Sequence, residues 1–210
     1  MSDLLPLFPL PSVVLFPGVF LPLHIFEPRY RAMVADALAT DRLIGMTLLR
    51  DGWQDDYDGQ PPVYAVGCIG LITHSEKLPD GRYNIILRGL DRFRIVDEDH
   101  ARPYRRARTE TVSDPVLTDA DRDLLRGYRE RLETRLSTPD PDGGIDPRAA
   151  AAMSDEDLTN ALSQYLDLEP IERQALLEQP SVPARAAALI ELLDMKAFLT
   201  GGHTGSSSAH

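Results

Sequence analysis

The sequence has little of what catalytic and metal-binding chemistry requires: its 210 residues include one cysteine, one tryptophan and two lysines. Cys68 alone cannot form an intrachain disulfide or a zinc site, which favours a reducing compartment. The five histidines do not show the spacing of metal ligands. The sequence therefore predicts a protein without a cofactor, a structural metal or a disulfide.

The two lysines lie in contexts that support neither ATP hydrolysis nor proteolysis. A Walker loop needs Gly-Lys followed by Ser or Thr, whereas Lys77 follows Glu76 and Lys196 follows Met195. A Ser-Lys dyad needs a lysine in an apolar setting near a serine. Lys77 is in a polar turn and Lys196 is near the end of the last predicted helix. We therefore predict that the chain is not an enzyme.

Targeting and membrane signals are also absent from the sequence. The N-terminus lacks the basic start and small-residue cleavage site of a secretory leader, and the apolar runs are far shorter than the ~20 residues that span a bilayer. The net charge is −11, with 13 Lys+Arg and 14 Asp+Glu in residues 1–109 but 9 and 19 in residues 110–210. Acidic surfaces repel nucleic acids and anionic lipids, so we expect a cytoplasmic protein that binds neither membrane nor nucleic acid in general.

The most informative stretch that is present covers residues 4–31, which are apolar but repeatedly interrupted by proline. Proline removes an amide donor and clashes with the preceding helical turn, so a helix is excluded here. In sheets, proline is confined to strand edges, strand starts and bulges. We therefore predict short strands over 4–7, 13–15 and 20–25, with a turn at Pro17 and Gly18.

The remainder predicts an α+β fold in which strands come first and helices follow. The predicted elements of the first part are a helix from Pro28 to about residue 40, and strands over 42–50, 63–73, 83–95 and 104–112. Gly67 and Gly70 predict bends in the second of these strands. Thr118 and Ser154 are predicted helix N-caps, and further helices are predicted from Pro170 and Ser181. The predicted domains are 1–115 and 116–200, with a disordered tail at 201–210.

Several motifs resemble the N-terminal substrate-binding domain of the ATP-dependent Lon proteases, a module that also occurs as a free-standing protein. The matching segments are LPLFPL, VVLFPG and LPLHIFEPRYRAMV near the start, VGCIGLI at 66–72, LPDGRYNIILRGLDRFRI at 78–95, and the helical part at 158–193. The resemblance implies a PUA-like β-barrel with one early helix, followed by a C-terminal α-helical bundle. It also implies a free-standing, non-catalytic substrate-recognition module that binds unfolded or degradation-prone polypeptide, with a protease or a chaperone as a further partner.

Recognition of unfolded chains requires exposed apolar side chains, because sequence-tolerant binding relies on removing apolar surface from water. The candidates are Phe16, Phe20, Trp53 and Tyr57, which lie at predicted turns or loops. Plain core packing is the alternative for each, and it is favoured for Phe16 and Phe20. An extended client could instead add to an uncovered strand edge through main-chain hydrogen bonds.

Two other functions remain open from the residues alone. Arg102, Arg105, Arg106 and Arg108 form a basic run that could contact RNA phosphates, since PUA-like barrels include RNA readers. The same alternation is typical of an edge strand protected by charge. The second alternative is an enzyme with an unrecognised site in a cleft between the barrel and the bundle.

Overall fold

The computed structural model describes residues 4–56, 59–136 and 147–201. The chain divides into two compact units. The sheet unit comprises the described residues of Met1–Ser113 and Leu166–Glu178, and the helical unit comprises those of Asp114–Tyr165 and Gln179–His210. Most of the predicted tail, and Tyr57, lie outside the described residues.

The described residues form six strands and six α-helices, with α5 inside the sheet unit. The strands are β1 (Leu5–Leu10), β2 (Phe20–Ile25), β3 (Leu43–Leu48), β4 (Val66–Lys77), β5 (Tyr83–Asp99) and β6 (Arg106–Val112). The helices are α1 (Pro28–Leu38), α2 (Asp119–Leu136), α3 (Pro147–Ala152), α4 (Asp155–Tyr165), α5 (Pro170–Leu177) and α6 (Val182–Gly201), and a short 3-10 helix covers Trp53–Asp56.

The strand pairings of the sheet unit form a ring. Strand β1 pairs in parallel with β3, and the antiparallel pairs β3–β4, β4–β5, β5–β6 and β6–β1 return to the starting strand. Strand β2 lies outside this ring and pairs with the first half of β5, from Tyr83 to Arg88. The predicted α+β class is confirmed.

Glycine and register shifts allow the long strands to bend. The β4–β5 register shifts between Cys68 and Gly70, where the sequence predicted a bend. Gly89 marks the middle of β5, where a Cβ atom would collide with the carbonyl oxygen of Phe16. Only glycine fits this position without moving the backbone. Glycine therefore lets β5 pass close to Phe16 and continue as one strand.

The predicted strand over 13–15 is wrong. The structure has no strand there, although Val14, Leu15 and Phe16 are almost fully buried. The segment ends in a turn at Gly18, which has φ +78° and donates its N–H to the Gly89 carbonyl at 3.0 Å. The apolar side chains therefore enter the core without a strand ladder, because burial alone does not require one.

Helix α5 belongs to the sheet unit through polar contacts that are buried. The Gln174 side-chain amide donates to the Val66 carbonyl at 3.0 Å, and Arg92 Nη1 donates to the Leu177 carbonyl at 2.9 Å. Buried polar groups persist only when they are hydrogen-bonded, so these bonds fix α5 on β4 and β5. The domain boundary predicted at residue 115 stays a prediction, but it does not anticipate this return of 166–178 to the sheet unit.

The helical unit begins its helices where the caps predict. The Thr118 hydroxyl accepts from the Asp121 N–H at 3.2 Å, and the Ser154 hydroxyl accepts from the Asp157 N–H at 3.1 Å. Inside this unit Arg185 is fully buried and donates to Asn160 Oδ1 at 2.7 Å. Among the described residues, no helix is both long and apolar enough to cross a membrane.

Candidate functional site

The feature that stands out in the sheet unit is a row of exposed side chains along β2 and just beyond it. Side chains alternate across a strand, and in β2 Phe20, Pro22 and His24 point to the exposed side while Ile25 is buried. Phe20 is 50% exposed, and Phe26, which continues the alternation, is 60% exposed. Two half-exposed phenylalanines six residues apart on one side form an apolar surface that water contacts.

Strands β5 and β4 extend this surface. In the antiparallel register Pro22 lies opposite Ile86, and Phe20 lies opposite Arg88; Ile86 in turn lies opposite His74 of β4. We name this set the outer face; its members are Phe20, Pro22, His24, Phe26, His74, Ile86 and Arg88. An open depression of about 390 Å³ runs over the part that contains Pro22, His24, His74 and Ile86.

A chain of hydrogen bonds fixes one end of the outer face. Arg82 Nη1 donates to His24 Nε2 at 3.1 Å, and His24 Nδ1 contacts Asn84 Oδ1 at 2.8 Å. Since arginine can only donate, His24 Nε2 must accept, and Nδ1 must carry the proton that it donates to Asn84. Asn84 Nδ2 then donates to Glu76 Oε2 at 2.9 Å. The chain therefore ties β2, β5 and β4 together and holds the His24 ring against Phe26, with the ring centroids 6.3 Å apart.

The turn before β5 is fixed in the same way. Arg82 donates its backbone N–H and its Nε to the Asp80 carboxylate, the latter at 2.6 Å. The backbone hydrogen bond from Arg82 is the main cause that lowers the pKa of Asp80 below its ordinary value. The carboxylate therefore stays charged and keeps Arg82 in position to reach His24.

The apolar residues predicted from the sequence that the structure describes differ in exposure and in the element that carries them. Phe16 is fully buried, as the core packing favoured for it predicts, so it is not an exposed contact. The turn at Gly18 directs Phe16 into the core and leaves Phe20 outside, so the core packing favoured for Phe20 is wrong. Phe20 lies on the outer face. Trp53 is half-buried in the 3-10 helix, which is a different element, and Tyr57 lies outside the described residues. The sequence reasoning missed Phe26, although the alternation at 20, 22, 24 and 26 is a signal that could have found it.

The predicted basic run is neutralised by acidic residues. Arg105 makes a two-point contact with Glu98 at 2.6 and 2.8 Å, and Arg106 Nε donates to Asp99 Oδ1 at 2.9 Å. Arg108 lies 3.6 Å from Asp97, and Arg102 lies 3.5 Å from Asp36. Because each arginine of the run has a carboxylate partner, the run lacks the net positive charge that attracts the extended phosphate backbone of RNA.

The pairing of β6 argues against the edge-strand interpretation at the start of this strand. Strand β6 pairs with β5 along its length and, at Arg106 and Ala107, with β1 on the other side, so Arg106 does not protect an open edge. The hydrogen bond from Arg106 lowers the pKa of Asp99, which keeps this pair charged. The acidic residues 97–99 therefore balance the charges of the arginines on and before β6.

Among the described residues, no group of three or more His, Cys, Asp or Glu is placed to hold a metal.

Solved structures with this fold define the class of protein. The chain is similar to the N-terminal domain of a Lon protease from the Mycobacterium avium complex, with a TM-score of 0.67 and 18% identity, covering 90% of this chain and 96% of the other. It is also similar to a Lon N-terminal domain protein from Xanthomonas campestris, with a TM-score of 0.61 and 26% identity, covering 90% and 97%. The molecule thus has the fold of Lon N-terminal domains.

The family follows from the sequence comparison. The model of the ATP-dependent protease La (Lon) substrate-binding domain matches residues 4–195. The chain therefore belongs to the Lon substrate-binding domain family. The matched part of Lon is the substrate-binding domain and not the catalytic one.

Full-length relatives are much longer than this chain. Lon protease 2 of Myxococcus xanthus is 29% identical over 206 residues, which cover 92% of this chain and 24% of the relative. Lon protease of Anaeromyxobacter dehalogenans is 28% identical over 198 residues, covering 91% and 23%. The chain thus spans about a quarter of the length of these relatives.

Proposed function

We propose that this chain is a non-catalytic substrate-recognition module that binds unfolded or degradation-prone polypeptide through the outer face. The observation that carries the proposal is the exposed row of Phe20, Pro22 and Phe26 on an outer strand. Burying a phenylalanine side chain is worth about 1.5–3 kcal/mol and does not depend on the client's sequence. This matches what a receptor for many unfolded chains requires, and it agrees with the substrate-binding family to which the chain belongs.

The backbone of β2 supports a second contribution, which is strand addition. Among the described strands β2 pairs with β5 alone. The Gly89 N–H donates to the Val19 carbonyl at 2.9 Å, and hydrogen-bonded pairs alternate along an antiparallel ladder. Because of this alternation, the backbone N–H and C=O groups of Leu21 and Leu23 face β5. The backbone groups of Pro22 and His24 face the other edge of β2. Pro22 offers a carbonyl but no N–H at this edge, so an extended client would gain fewer main-chain bonds here than along a strand without proline.

The cellular setting belongs to the same proposal. The sole cysteine, Cys68, is buried and forms no disulfide, which is compatible with the cytoplasm. Relatives that carry a matching segment are named Lon proteases, so we propose that clients bound here pass to a protease or a chaperone.

The proposal is tested by removing the aromatic surface. In the double variant Phe20→Ser with Phe26→Ser, we expect capture of a chemically denatured model protein to weaken at least about tenfold. The matched control is Phe198→Ser, because Phe198 is 79% exposed on α6 in the helical unit. Binding is measured by fluorescence anisotropy of the labelled client, and folding by thermal unfolding. Equal capture by the double variant and the wild type would contradict the proposal.

A further inference from the structure

The sheet unit contains a partly open cavity, distinct from the outer face, whose lining is basic. Its volume is about 220 Å³, and it lies beside the start of α1, the loop at 59–61 and the segment that precedes β6. Arg29, His100, Arg102 and Arg105 line it, together with three prolines and two tyrosines. Among the described residues no carboxylate side chain lines this cavity.

The carboxylates that balance these arginines lie outside the lining, and Arg29 is paired with one of them, Glu27, at 3.0 Å. Arg105 is held by Glu98 and donates Nη1 to the Pro61 carbonyl at 2.6 Å, so its position is fixed. Arg102 is held less tightly, since its Nη1 is 3.5 Å from Asp36 and its side chain is 53% exposed. A guanidinium has five N–H donors, so Arg102 keeps donors to offer a ligand after this one contact.

Tyr104 of the lining stays neutral at neutral pH. Burial raises the pKa of Tyr104 to about 12, and the hydrogen bond that its hydroxyl donates to Asp36 at 2.6 Å acts in the same direction. At neutral pH the lining therefore has positive groups and no negative one.

We propose that this cavity binds a small oxyanion, a carboxylate or a phosphate, with Arg102 as its principal donor and Arg29 and Arg105 as flanking positive charges. Arginine suits this ligand because its planar fork matches both groups. The volume is below the ~300 Å³ at which pockets for drug-sized ligands begin, so the ligand is small. The anion is either a free small molecule or the terminal carboxylate of a polypeptide. The proposal does not depend on the function proposed for the outer face.

To test the proposal, the full chain is titrated with inorganic phosphate and, separately, with acetate. Binding is measured from the shifts of the NMR signals of His100 and Tyr104. We expect saturable binding with a Kd on the order of 1 mM, since neighbouring carboxylates reduce the attraction, and weaker binding at higher salt. Arg102→Gln should weaken it about tenfold. The matched control is Arg94→Gln, an exposed arginine of β5 that forms no ion pair with a described residue. Thermal unfolding checks that each variant folds, and Arg29→Gln replaces Arg102→Gln if the latter does not.

A second arm of the experiment separates the two sources of the anion. A short peptide with a free carboxyl terminus and its amidated form are titrated in the same way. Binding of the free form alone supports a chain terminus, whereas binding of phosphate or acetate without either peptide supports a free anion. Absence of saturation by both salts up to about 50 mM, or equal weakening by Arg102→Gln and Arg94→Gln, would overturn the proposal.

Discussion

Strand β5 contributes to two surfaces that differ in kind. Its first half, up to Arg88, lies between β2 and β4 and carries the apolar outer face; its second half pairs with β6, where acids and arginines face each other. The apolar surface stays exposed although burial would stabilise it, whereas the charged surface has its charges paired. Surface ion pairs are compatible with a purely structural role, but an apolar row on an outer strand costs solubility and indicates a binding function.

The largest effect is expected at the junction of the two halves, Gly89. A methyl group in Gly89→Ala would collide with the Phe16 carbonyl, which is backbone and cannot rotate away. We expect a loss of about 3 kcal/mol in the free energy of unfolding, because the main chain must move. The control is Gly127→Ala in α2, where a Cβ meets nothing within 4 Å and stability should rise by about 1 kcal/mol. Urea unfolding measures both, and an unchanged midpoint for Gly89→Ala would contradict the expectation.

The next largest effect is a difference in the free energy of unfolding between a substitution on the charged surface and one on the outer face. Arg105→Ala leaves Glu98 without its two-point partner and the Pro61 carbonyl without its donor, so we expect a loss of about 2 kcal/mol. Phe20→Ser, at a half-exposed position, should change stability by no more than about 0.5 kcal/mol. Denaturant titration measures both variants, and adding Glu98→Ala alone and combined with Arg105→Ala completes a double-mutant cycle for the ion pair. A larger loss for Phe20→Ser than for Arg105→Ala would reverse the comparison.

The comparison of sequence with structure shows which features are local. The prolines of residues 4–25 correctly excluded a helix, and two of the three strands predicted there, β1 and β2, are present. Thr118 and Ser154 correctly predicted helix starts, because capping acts within a few residues. Motifs quoted from the sequence also sufficed to identify the family.

The remaining features depend on register and packing, which sequence patterns do not give. Arg105 and Arg106 looked like a free basic run because Glu98 and Asp99 become their partners only through the β5–β6 register. Phe16 and Phe20 look alike in the sequence, and the turn between them decides which one is exposed. Likewise α5 reads as part of a bundle, and only the contacts of Gln174 and Arg92 place it in the sheet unit.

The smallest effect is expected at high pH and concerns the loss of stability when Tyr104 ionises. Its pKa is raised from 10 to about 12 in the folded state, mainly by burial. The unfolded chain therefore ionises first, so this contribution to stability is complete below pH 10 and is lost as the pH rises toward 12. Urea unfolding across this range should show a decline that is smaller in Tyr104→Phe. An identical decline in both proteins would show that Tyr104 does not cause it.

The most direct test of the account places a photo-crosslinking amino acid at Phe26 on the outer face and, in a second protein, at Arg108 on the charged surface. Both positions are exposed, since Phe26 is 60% and the Arg108 side chain 62% accessible. With a denatured client present, the account predicts crosslinks from position 26 and few from position 108. Equal crosslinking from the two positions, or crosslinking from position 108 alone, would contradict the assignment of polypeptide binding to the outer face.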